Sequence, residues 1–165
     1  MFSPQQFTHK SQEALQQAAA IANEHGQPHI DPPHLFLALL DQADGVVLSV
    51  LHKLNIRVPL LKDHVQSLIT QLPKQFGANG NSALGQIMMG PAMMYVLERA
   101  TEESKRMGDE FISVEHLLLA FLKSKNPISE MLTAEGASYD EVLKILAVVR
   151  GSQRVDSPSP ENTYQ

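Results

Sequence analysis

The chain has 165 residues, 43% of them hydrophobic, no cysteine, and a formal net charge of −5. That length supports one domain, or two half-size units sharing a core, and the lack of cysteine excludes disulfides and thiolate chemistry. The 13 Lys and Arg residues are scattered, tryptophan is absent and no apolar run reaches the span of a bilayer, so neither nucleic-acid binding nor membrane insertion is expected.

The opening segment MFSPQQFTHK carries no apolar signal sequence, and a cytoplasmic protein is expected. Thr8 is placed to cap the first helix, with its hydroxyl satisfying a free amide of the first turn. Ser11, Ala14, Leu15, Ala18, Ala22 and His25 fall on one stripe of that helix. Gly26 stands where a left-handed residue would end it. Asp31 and Pro32 then start a second helix, in which Leu35–Leu40 is apolar almost all round and therefore expected to be buried. Val46–Leu54 and Pro59–Leu72 supply two more helices. Pro73–Gly90 is rich in Gly and Asn and reads as a loop.

The second half follows the same plan. Met93, Val96, Leu97, Ala100, Ser104 and Met107 form the next stripe, which Gly108 ends. Ser113 caps a helix containing the apolar run Leu117–Leu122. Ile128–Glu135, closed by Gly136, and Tyr139–Val149 complete the set. Residues 151–165 include Ser157, Pro158, Ser159 and Pro160 and read as an exposed, flexible linker.

The two halves are copies. GQPHIDPPHLFLALL at Gly26–Leu40 recurs as GDEFISVEHLLLAFL at Gly108–Leu122, 82 positions later. The same shift places Ala14, Leu15 and Ala18 on Val96, Leu97 and Ala100. The predicted fold class is all-α: a duplicated four-helix repeat with pseudo-twofold symmetry and about eight helices. The first repeat is assigned to residues 1–72, the inter-repeat loop to 73–90 and the second repeat to 91–150. A unit of roughly 80 residues alone is only marginally stable, so the halves are expected to pack on each other. Their seam is a natural place for a groove.

No catalytic signature accompanies the repeats. There is no GxSxG elbow and no phosphate-cradling GxxxxGK[ST]. His25, His29 and His34 cluster near Asp31, which gives a small metallohydrolase as the enzyme-class alternative, but there is no HExxH pattern. Tetrahedral zinc would require ligands converging across a helix end, a loop and a helix start. His34 and His116 occupy equivalent positions three residues after each cap, which suits capping and packing in both copies. A non-enzymatic recognition domain without a metal is expected. Met88, Met89, Met93 and Met94 are read either as core filling between the halves or as a pliable surface for apolar partners. Asp109 and Glu115 flank Phe111 and Ile112. They fit a solvated loop acid and a helix-start acid, or two carboxylates that receive basic, apolar peptides.

FTHKSQEAL at Phe7–Leu15, the two fifteen-residue copies and LTAEGASYDEV at Leu132–Val142 resemble the duplicated amino-terminal domain of Clp ATPases. RGSQRV at Arg150–Val155, with Pro160-Glu161 and Tyr164-Gln165, is similar to the connector that leads into the first ATPase ring in the ClpB disaggregase branch. The resemblance implies a weak binder of unfolded or aggregated polypeptide that is joined flexibly to the rings of a homohexamer. It implies that ATP and magnesium belong to domains outside this chain, and that the isolated domain is a monomer. It also implies substrate contacts from Thr8, Asp109 and Glu115. Pro33 stands where an acid is common, so the two halves are expected to bind unequally. Other branches use this fold to dock a folded adaptor protein, which is the alternative reading.

Overall fold

The computed structural model describes residues 2–43, 45–74, 88–151 and 153–163. Among them are eight α-helices: α1 (His9–Glu24), α2 (Pro32–Leu40), α3 (Val46–Lys53), α4 (Val58–Gln71), α5 (Pro91–Arg106), α6 (Val114–Lys123), α7 (Pro127–Ala134) and α8 (Tyr139–Arg150). Each begins and ends for a local reason. Thr8 accepts the Ser11 amide at 3.2 Å. Asn126 caps α7 by accepting from the Ile128 and Ser129 amides, and Ser138 caps α8 by accepting from Glu141. Pro32, Pro91 and Pro127 occupy first helical positions, where no amide bond is lost. Gly26 and Gly108 follow α1 and α5 with φ of +64° and +72°, the left-handed conformation that terminates both.

α2 is buried along its whole length, and α6 from Val114 to Phe121. α1 packs on α2 and α5 packs on α6, as a duplication requires. The halves also interlock: α2 meets α7 of the second repeat, and α6 meets α3 of the first. Phe36 and Phe121 bring α2 and α6 into edge-to-face contact, with ring centroids 5.5 Å apart and planes at 78°. One continuous apolar cluster therefore runs through both repeats.

Two short backbone pairings complete the seam. Met88–Met89, which falls within the segment expected to be loop, runs parallel to His29–Ile30 in a two-residue pairing. Residues 75–87 of that segment lie outside the described residues. Phe7 forms a parallel bridge with Ile112. The 82-residue shift converts one pairing into the other. The segment leading into the first helix of each repeat thus pairs with the α–α loop of the opposite repeat. Runs this short have no period-two signature, because the partner strand rather than local alternation makes them extended.

The linker reading of residues 151–165 needs correction for the part described. Val155 and Pro160 are buried, and residues 153–161 lie along the start of α1 and the α5–α6 loop. Their composition offers few apolar groups, but backbone and side-chain hydrogen bonds fasten the segment instead.

Candidate functional site

An apolar groove of about 340 Å³ opens at the seam. Phe2, Phe7 and Leu15 line it from one side; Met89, Met94 and Leu97 line it from the other. Under the 82-residue shift, Phe7 corresponds to Met89 and Leu15 to Leu97. The groove therefore lies on the pseudo-twofold axis, between α1 and α5. Gln12 corresponds to Met94, so the second repeat contributes the more apolar wall. Leu15, Met89 and Met94 are half-buried and Phe2 is partly open to solvent. Met93 points into the core, and Met88 is largely exposed at 62%.

A second cluster forms where the α5–α6 loop meets the end of α8. The Asp109 side chain is fully buried. His116 Nδ1 accepts the Ser113 amide at 2.9 Å, which leaves its Nε2–H to donate to Asp109 Oδ2 at 2.7 Å. Arg150 grips the same carboxylate with both terminal nitrogens, at 2.9 and 2.8 Å, and the Val155 amide donates at 2.9 Å. Burial alone would push the Asp109 carboxyl up. The hydrogen bonds from His116, Arg150 and the Val155 amide, with the guanidinium charge, outweigh it and hold the group well below the usual carboxylate range. Arg150 Nε also approaches Glu115 at 3.6 Å, again with both side chains buried. Thr8 donates its hydroxyl to Glu161 Oε2 at 2.6 Å, and the same oxygen accepts the Val114 amide at the start of α6.

The fold thus gathers Thr8, Asp109 and Glu115 at one end of the molecule. They do not form an open acidic patch, since all three side chains are buried and residues 153–161 lie over them. Arg150 and Glu161 belong to this cluster and were not singled out from sequence. The available signal for Arg150 was a cation in the last turn of a helix, which ordinarily reads as a solvated dipole partner.

The first repeat carries a neutral counterpart. Gln27 occupies the position of Asp109 and accepts His34 Nε2–H at 2.6 Å, while its amide donates to the Ile69 carbonyl at 2.6 Å. Carbonyls surround this site where donors surround Asp109, which explains an amide in one copy and a carboxylate in the other. Pro33 stands opposite Glu115, and Gly90 opposite Thr8. A Cβ at Gly90 would sit 2.5 Å from Asp31 Oδ1, so a side chain there would have to displace the Asp31 carboxylate.

His34 is buried and neutral: burial, then the charge of His25, lowers its pKa to about 4. A depressed base contributes stability above its unfolded pKa near 6.5 and loses it as pH falls toward the folded value. The thermal midpoint is therefore expected to fall between about pH 6.5 and pH 4. His34→Gln keeps a capping-box side chain without the titration, and it should flatten that part of a calorimetric pH series. An unchanged slope in the variant would assign the effect elsewhere.

Among the described residues, no group of three His, Asp or Glu side chains is placed to hold a metal ion, and no helix is long and apolar enough to cross a membrane. His34 is instead occupied by Gln27 and the Asp31 amide, and His25 by the Ile21 carbonyl.

Residues 6–135 match the Clp repeat (R) N-terminal domain family. The chaperone protein ClpB of Bacillus cereus is 38% identical over 160 residues, which are 97% of this chain and 18% of that relative. The chain therefore spans less than a fifth of the length of the relatives it matches. Among solved structures, the Hsp104 N-terminal domain from Candida albicans superposes with a TM-score of 0.79 at 21% identity, covering 94% of this chain and 98% of that one. A ClpV N-domain in complex with a VipB peptide superposes with a TM-score of 0.70 at 21% identity, covering 87% and 86%. With eight helices among the described residues and a duplicated plan, the chain belongs to the Clp repeat (R) N-terminal domain family and corresponds to that domain alone of its longer relatives.

Proposed function

We propose that this chain is the client-binding amino-terminal domain of a ClpB-like disaggregase. In this reading it captures exposed apolar segments of unfolded or aggregated polypeptide and passes them to ATPase rings. Residues 1–72 and 91–150 form the two repeats, and residues beyond 150 lead toward those rings in a cytoplasmic homohexamer. The observation that carries the reading is the apolar groove on the pseudo-twofold axis. It is walled by Leu15, Met89 and Met94, whose flexible side chains suit many sequences rather than one epitope. Thr8, Asp109 and Glu115 are buried beneath residues 153–161 and do not line the groove; as polar contributors that bias capture toward segments carrying Lys or Arg, they would act only once that segment is displaced.

The groove's size argues for weak binding. Burying about 200–300 Å² of apolar client surface gives about 5–8 kcal/mol gross. Ordering the client and losing its translational freedom remove much of that. A single-site Kd weaker than micromolar and toward millimolar follows (about −4 kcal/mol at 1 mM). Six tethered copies on a ring would restore capture through avidity.

An NMR titration with a permanently unfolded protein tests this. Fast-exchange shifts should concentrate on Phe7, Leu15, Met89 and Met94. Met94→Gln gives the second repeat the residue that the first already has at Gln12. It should preserve the fold and weaken client binding about tenfold, as expected when a methionine-sized contact of roughly 1.4 kcal/mol is removed. No shifts at millimolar client would sink the reading. A second reading, docking of a folded adaptor, draws support from the similar ClpV N-domain that was solved with a VipB peptide. A saturable partner indifferent to competing unfolded proteins would favour it.

A further inference from the structure

Residues 155–161 make contacts that an extended foreign chain could make equally well. The Val155 carbonyl accepts the amides of Glu110 and Phe111, at 2.8 and 3.4 Å, and its own amide donates to Asp109. The Pro158 carbonyl accepts the His9 amide at 2.8 Å. The receiving groups are backbone amides and one carboxylate, so they read the presence of an extended backbone and not its sequence. Val155 and Pro160 supply buried side chains, and Glu161 reaches Thr8 and the Val114 amide.

One element of this fit is poor. Asp109 and Glu115 are paired with the buried Arg150 guanidinium, whereas Glu161 is held by the Thr8 hydroxyl and the Val114 amide. Glu161 Oε1 is buried with no hydrogen-bond partner among the described residues. A buried acceptor left in that state is destabilising, the more so when it is charged. Burial first, and the charge of Glu115 as well, push the Glu161 carboxyl up against the opposing Thr8 hydrogen bond. The segment is therefore held by its backbone and loosened by its acid.

We infer that residues 155–161 are a displaceable internal occupant of a second binding surface, formed by His9, Asp109–Phe111 and Glu115. The foreign partner that fits is an extended polypeptide with an apolar residue where Val155 sits and a lysine or arginine where Glu161 sits. The incoming cation meets Glu115 and Thr8, and so replaces a repulsion with an attraction. This rests on the polypeptide-binding reading above but concerns a different surface from the groove, and it gives the three buried polar residues a way to be reached.

The test uses the full chain and two short unstructured peptides, one rich in Leu, Ala and Lys and one with Glu in place of Lys. Because the chain has no cysteine, H9C/S159C can be bridged cleanly with a bismaleimide reagent; the native side chains already meet at 3.0 Å. The unbridged variant should show the same Lys-peptide shifts as wild type at Glu110, Phe111 and Val114, and these should vanish on bridging while groove shifts at Leu15 and Met94 persist. E161K puts the favoured charge into the segment itself and should weaken Lys-peptide binding at this surface about tenfold. Unchanged shifts after bridging, or equal or tighter binding by E161K, would overturn the inference. So would stronger shifts with the Glu peptide. If neither peptide shifts any residue in either form, the polypeptide-binding reading fails. Hydrogen exchange of the His9 and Glu110 amides then decides whether the segment opens: exchange well ahead of the α6 core supports a displaceable segment, and equal protection refutes it.

Discussion

Replacing Asp109 with alanine is expected to lower the thermal midpoint by about 10 °C. The carboxylate accepts from His116, from both terminal nitrogens of Arg150 and from the Val155 amide, all in a buried setting. Removing it strands a buried guanidinium, and breaking a buried pair in this way costs about 3–5 kcal/mol. For a domain of this size each kcal/mol shifts the midpoint by about 2–4 °C. Asp109→Asn should recover little, because an amide would point donors at a ring of donors. The reciprocal change, Gln27→Glu, should also destabilise by setting a carboxylate against the Ile69 and Leu72 carbonyls. The pH dependence has a definite sign. A depressed acid contributes fully above its unfolded pKa of about 3.9, and the contribution is lost as pH falls below that. The gap between wild type and D109A should hold from neutral pH to about pH 5 and close below about pH 4. Circular-dichroism melts across that range would show it; a midpoint within a degree or two of wild type at neutral pH would mean that the cluster relaxes without cost.

Phe121→Ala should rank beside it. Phe121 is fully buried and meets Phe36 edge-to-face across the two halves. Truncating a buried phenylalanine costs about 3–5 kcal/mol through lost transfer energy and the cavity left behind. The loss should appear as one lowered transition in urea, not two, because a single apolar cluster serves both repeats. Combining F121A with F36A should give a total below the sum of the single effects, with a coupling of about 0.5–1.5 kcal/mol for the aromatic pair. Two separate transitions in F121A would show that the repeats fold independently.

Particular residues show what was legible in the sequence. Helical spacing, Gly26, Gly108 and the caps at Thr8, Asp31 and Ser113 are local signals, and the helices follow them with ends shifted by a residue or so. The placement of Met93 in the core followed from its stripe. The pairing of Met88–Met89 with His29–Ile30 was not legible, because it depends on a partner distant in the chain. The part that Arg150 and Glu161 play in the buried cluster was not legible, for a related reason. Each looks solvated in its own segment, and only the approach of residues 153–161 to the α5–α6 loop buries them. The duplication held one further clue: the mismatch of Gln27 with Asp109 between the copies marks where one repeat carries a neutral network and the other a charged one.

The exchanged backbone pairings bear on how the chain emerges during synthesis. Phe7 must wait for Ile112, and Ile30 for Met89, so the first four helices are made before either of their cross-partners exists. Contacts of that sequence separation are slow to form, and a vectorially made chain exposes their apolar surfaces in the interval. The half of the molecule made first is thus itself, for a short time, an incompletely folded polypeptide with bare hydrophobic edges.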